Sequence, residues 1–268
     1  MGLRTNLRTI PKTTEKRLNQ IPIQITDKLQ FMKRVILLTT LLLTAFYHCN
    51  AQYETDTHII WQPGVKLTFE MFQGAPSDSA FVQKLKGLNI YHQVAIGFWS
   101  ALDVPDSRRG WKTMSEKYSF CAAMDKTQSF FIVRDSTELK YAQLIWDICE
   151  VATRISRKNL VAFEKEANDG LSKNANGIIS IQYMTCLNDG KQFGREVTQA
   201  LFDEVITTHD EEAYRKYRSQ IDSLLQELEE YATTEEEIQR LLSDSPTAGY
   251  KLAPTLMGDF KNRGEIRY

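Results

Sequence analysis

One stretch constrains the fold more than any other. Between Leu139 and Phe163 the chain carries no Gly or Pro. Its apolar residues fall at Tyr141, Leu144, Ile145, Ile148, Cys149, Ala152 and Ile155, with Phe163 following a polar patch. That spacing is the stripe of a helix with one buried face. Ser136 or Thr137 is placed to cap its start. Glu138 falls in the first turn, where a carboxylate meets the positive end of the helix dipole. A helix this long must be covered along its length, so the rest of the chain has to supply a sheet or more helices.

The flanking sequence supplies both. Thr57–Trp61 is a short strand, Pro63-Gly64 a turn, and Leu67–Pro76 ends in a loop. Leu88–Val104 alternates and then becomes apolar on both faces, which predicts one long strand, or two with a bend at Gly97. Pro105–Gly110 is a polar turn, and Tyr118–Met124 and Ser129–Val133 are two further strands. Asn168-Asp169-Gly170, Asn174–Gly177 and Asn188-Asp189-Gly190 predict turns, with Ile178–Met184 as a small strand or hairpin between them. Helices resume over Phe193–Thr207 and Asp210–Tyr231, with Thr233–Glu237 opening a short third one. Ser243–Tyr268 has the composition of a tail with little regular structure. Strands followed by helices predict an α+β fold: an antiparallel sheet from the N-terminal half packed against a long helix and further C-terminal helices.

The N-terminal region has a different character. Met32-Lys33-Arg34 precedes an apolar run, Val35–Tyr47, of about 13 residues, and a small residue stands at the cut, the pattern of a secretory signal cut after Ala51. The run is shorter than the roughly 20 residues of a membrane span. Membrane anchoring by residues 35–47 is the alternative. Residues 1–31 read as a non-native or disordered extension, 52–242 as one domain, and 243–268 as the tail. Residues 1–51 hold eight basic and two acidic side chains, net +6, and the remainder 25 basic and 32 acidic, net −7. The mature chain therefore lacks the basic footprint of a nucleic-acid or anionic-lipid binder. Three cysteines follow the cut, Cys121, Cys149 and Cys186. None has Cys-x-x-Cys spacing, and an odd count leaves at least one thiol free.

Trp61 followed by Leu67-Thr68-Phe69-Glu70-Met71-Phe72-Gln73-Gly74-Ala75-Pro76 resembles the opening of a secreted bacterial zinc-protease-like family, domain of unknown function 922. Gly87-Leu88-Asn89-Ile90-Tyr91 is similar to that family's next strand. The family then places a His-Glu-Gln-x-His-Phe-Asp-Ile-x-Glu helix. Here Tyr141–Glu150 stands in its place, with Gln143, Asp147, Ile148 and Glu150 matching. The resemblance implies a zincin-like fold without its chemistry. Such a site needs two imidazoles one turn apart and a carboxylate to take a proton from metal-bound water. Tyr141, Ala142 and Ile145 occupy those positions. His209, after Phe202-Asp203, is the counterpart of a later family histidine, offset by one.

Other candidates have plainer readings. Asp147 and Glu150, three apart on the helix, are either a carboxylate pair or fold-supporting groups. His58 and His92 sit in strand-like runs beside aromatics, where packing is the expected role. Ser100, Ser119 and Ser129 lack a nucleophile-elbow context. The expectation is a secreted or periplasmic, catalytically inactive zinc-protease-like domain without cofactor or metal. It would bind an unidentified peptide or envelope protein in a groove where the active site would have been, with no nucleic acid and no membrane span after cleavage. The alternatives are a hydrolase using Asp147, Glu150 and His209, or a purely structural envelope protein.

Overall fold

The computed structural model describes residues 53–170, 178–243, 245–255, 258–259 and 261–266. The signal-like segment, the upstream extension and the 174–177 turn cluster lie outside them. Tyr53–Tyr268 forms one unit. It begins with β1 (His58–Ile60), then α1 (Ser79–Gly87), β2 (His92–Pro105) and β3 (Lys117–Phe131). Helices α2 (Ser136–Gly170), α3 (Ile178–Leu201), α4 (Glu211–Glu227) and α5 (Glu235–Ser243) follow. Short strands β4 (Tyr250–Leu252), β5 (Pro254–Thr255), β6 (Gly258–Asp259) and β7 (Lys261–Ile266) end it. The architecture is α+β with an antiparallel sheet, as expected.

The sheet runs β1-β3-β2, and β4 and β7 share the far edge of β2. The apolar character of both faces of β2 has its reason here. Val94, Ile96, Phe98, Leu102 and Val104 point with Phe120, Ala122 and Met124 into the main core against α2. Trp99 and Ala101 point with Cys121 and Ala123 to the opposite face, under Ile238 and Leu241 of α5. A strand buried on both sides reads as continuous hydrophobicity. The ion pair of Arg240 with Asp103, 2.6 Å between Nη2 and Oδ1, fixes α5 across that second face. Arg157 of α2 reaches the same corner, donating to the Phe120 carbonyl at 2.7 Å and to Glu237 at 2.9 Å.

The central helix is longer than 139–163 and starts at Ser136. Tyr141, Leu144, Ile145, Ile148, Cys149 and Ala152 are all buried, as the stripe predicts.

Several expectations need correction, among them the turn predicted at Asn168-Asp169-Gly170, which is helical and ends α2. The strands predicted at 118–124 and 129–133 are one, β3, whose pairing with β2 shifts register between Gln93 and Ala95. Residues 126–129 fall in this bulge, and the Asp125 carboxylate beside it accepts from the Thr127 and Gln128 amides. Gly97 pairs in register and makes no break.

The hairpin predicted over Ile178–Met184 is helical, part of α3. Gly190, read as a turn residue, lies buried inside this helix. A Cβ there would collide with the Ser156 hydroxyl and the Ala152 carbonyl of α2, so this glycine serves a close helix crossing. Ser79–Gly87, unassigned from sequence, is α1, with Asp78 accepting from the Phe81 amide as its N-cap. The stretch expected as an irregular tail carries β4 to β7, and its edge pairing closes the sheet. Sequence alone hides this, because edge strands are short and polar.

Candidate functional site

The three positions where the resemblance places metal donors and a base are packed in the core. Tyr141, Ala142 and Ile145 are 0%, 0% and 1% exposed. The Tyr141 hydroxyl has no hydrogen-bond partner, and burial pushes its pKa up to about 12. It stays a neutral phenol, a poor metal donor. Among the described residues no group of three His, Cys, Asp or Glu converges as a ligand set.

The cleft lies on the neighbouring face of the same helix. It encloses about 620 Å³ between the Trp61–Leu67 segment, the first half of α2, and α4. Its floor is a polar network centred on Asp147. The Trp61 indole Nε1 donates to Oδ1 at 2.8 Å, and Gln143 Nε2 donates to the same oxygen at 3.0 Å. Arg218 of α4 donates to Oδ2 at 2.6 Å and to Asp222 at 2.5 Å. Burial favours deprotonation of Arg218, but these two carboxylates override it and raise its pKa. Gln143 turns its carbonyl the other way and accepts the Leu67 amide at 2.9 Å. The helix thus clamps both ends of the Trp61–Leu67 segment.

Behind this floor, Arg154 lies 5.3 Å from the centre of the Trp61 ring. It donates to Glu150 at 2.8 Å and to the Leu225 carbonyl at 2.6 Å. Glu150 is fully buried. Burial raises its pKa to about 7 and outweighs the opposing pull of Arg154. At the rim, Lys140 pairs with Glu211 and lies 4.6 Å from the Tyr214 ring centre.

The structure brings some predicted site residues together and keeps others apart. Gln143 and Asp147 share the cleft floor. Glu150 sits behind it, engaged with Arg154. His209 is exposed, at φ 55, with its ring centroid 6.0 Å from Tyr91 and 6.1 Å from Tyr141. Asp147, Glu150 and His209 therefore face three different sets of neighbours. Sequence reasoning missed Arg218, Arg154 and Trp61 as site residues. The Glu150–Arg154 pair was legible in its i, i+4 spacing. Arg218 was not, because nothing local marks an arginine whose partner is 71 residues away.

Comparison with protein-family models, curated proteins and solved structures finds no match to this chain. Among the described residues no helix is long and apolar enough to cross a membrane.

Proposed function

We propose that this protein is a non-catalytic binding module, exported through its 32–51 segment, that captures an extended peptide or an envelope protein's segment in the cleft over Asp147. One observation carries the reading. Trp61, Leu67, Gln143 and Asp147, all among the positions that resemble the zinc-protease-like family, meet each other directly as Trp61–Asp147 and Leu67–Gln143. They form a floor in which the Trp61, Gln143 and Asp147 side chains are paired within the protein while Arg218 Nε is buried without a partner, beside a rim with Lys66, Lys140 and Glu229. A preorganised concave surface with few convergent polar groups suits recognition. No nucleophile stands next to a base on that floor.

The experiment is selection of a random decapeptide library on the purified protein, followed by titration of the enriched peptides. Binding weakened at least tenfold by Lys140→Glu or Leu139→Arg at the rim is the expected result. Failure to enrich any peptide sensitive to these changes overturns the reading. So does stoichiometric zinc that is lost in His209→Ala. Export is checked by N-terminal sequencing, with Gln52 expected as the first residue.

The packing of Tyr141, Ala142 and Ile145 favours one competing reading, a purely structural envelope protein. It expects no cleft-dependent ligand of any kind.

A further inference from the structure

The cleft over Asp147 has two distinct ends. Lys140 pairs with Glu211, Asp147 with Arg218, and Arg154 with the Leu225 carbonyl. Each step is seven residues on both helices, so α2 and α4 run parallel in the manner of a coiled coil. The Trp61–Leu67 segment runs the opposite way along α2. Its Leu67 amide is held at Gln143, and its Trp61 ring lies against Arg154. Lys66 therefore stands at the end of the cleft where both helices begin. Glu229 follows α4, and the Tyr231 carbonyl just beyond it accepts from Arg157, so Glu229 stands at the other end. From Gln143 to Arg154 the helix advances about 16 Å, at about 1.5 Å per residue.

Most of the charge lining this cleft is neutralised inside the protein. Lys140, Asp147, Arg154, Arg218 and Asp222 are all in ion pairs. Lys66 and Glu229 are exposed, and neither has an ion-pair partner among the described residues. The cleft thus keeps one open charge of each sign, at opposite ends. Exposed charges add little affinity, but they select partner and orientation.

We propose that the peptide taken by this cleft is dipolar: a carboxylate faces Lys66, an ammonium or guanidinium group faces Glu229, and the peptide lies in one orientation only. This rests on the cleft being a peptide site, as proposed above, and adds the charge pattern of what it takes. An extended chain advances about 3.3 Å per residue, so about five residues cover the distance between the two charges. Side chains or free chain ends supply the same chemistry.

The test is capture of hexapeptide pools on the immobilised full chain, read by mass spectrometry. Three pools have capped ends: Lys-x-x-x-x-Glu, Glu-x-x-x-x-Lys and the neutral Gln-x-x-x-x-Gln. A fourth is the Gln pool with free ends. One capped dipolar pool is captured about threefold to tenfold over the capped Gln pool, the scale of two exposed ion pairs. The preference fades in about 1 M salt, where the screening length is about 3 Å. Lys66→Glu combined with Glu229→Lys moves the preference to the opposite dipolar pool, with an unchanged melting temperature. Capture of the free-ended Gln pool as strong as that of the preferred dipolar pool assigns the charges to chain ends. Equal capture of all pools overturns the dipolar ligand and leaves peptide binding standing. A preference unmoved by the charge swap overturns it as well. Capture of no pool overturns both readings.

Discussion

Trp61 and Asp147 stand 86 residues apart in sequence and are joined by one buried hydrogen bond of 2.8 Å. This bond fastens the segment after β1 to the middle of α2. The cleft depends on it, because one wall is the Trp61–Leu67 segment and the floor is α2.

Trp61→Phe keeps the ring against Arg154 and deletes the N–H donor. We expect a loss of about 1.5–3 kcal/mol in urea unfolding, the cost of a hydrogen bond to a charged group. Asp147→Asn should cost a similar amount. The double variant should fall short of the sum by about 1 kcal/mol, because the two residues share one interaction. Strict additivity would mean that the bond is absent in solution.

Stability should depend on pH through Glu150. Its pKa is raised from 4.5 to about 7 in the folded protein, with burial as the largest cause. The folded state therefore holds the proton more tightly than the unfolded chain. Stability is greatest below about pH 4.5 for this group, and falls by roughly 3 kcal/mol as pH rises to about 7. Denaturant titrations across this interval should show the slope, and Glu150→Gln should flatten it. An unchanged slope in the variant would assign the effect elsewhere.

Gly190→Ala should destabilise by about 3 kcal/mol, toward the upper end of overpacking costs. The added methyl meets the Ser156 side chain and the Ala152 carbonyl. Ser156→Gly removes only the first obstacle, so the double variant should recover only part of the loss. Full recovery in thermal melts would show that the backbone contact is not limiting.

Cys121 and Cys149 are free, fully buried, and held well above ordinary thiol pKa values by that burial. Maleimide labelling of the native protein at pH 7 should leave both unmodified over hours, while labelling in 6 M guanidinium, roughly the concentration that unfolds most domains, modifies both. Fast native modification of either would place it outside the core.

Much of the fold was legible. The stripe of α2 needed only its own spacing, and its residues from Tyr141 to Ala152 (Tyr141, Leu144, Ile145, Ile148, Cys149 and Ala152) are buried accordingly. The two-faced hydrophobicity of β2 signalled a strand covered on both sides. The α3 stripe was also present, in Ile179, Tyr183, Cys186, Leu187 and Leu201. The Asn-Asp-Gly cluster at 188–190 obscured it, because glycine serves tight helix crossings as readily as turns. The N-terminal 52 residues, with the signal segment and the extension expected there, lie outside the described residues.

For the site, the sequence determined which side chains are absent: no imidazole or carboxylate stands at Tyr141, Ala142 or Ile145. It also placed Gln143 and Asp147 on a shared helix, since residues four apart meet by helix geometry alone. Only the tertiary structure decided that the cleft opens over Asp147 and not over Tyr141. That choice rests on Trp61 and Arg218, which arrive from 86 and 71 residues away. Local periodicity tells which face of a helix is apolar, but not which distant donors its polar face will meet.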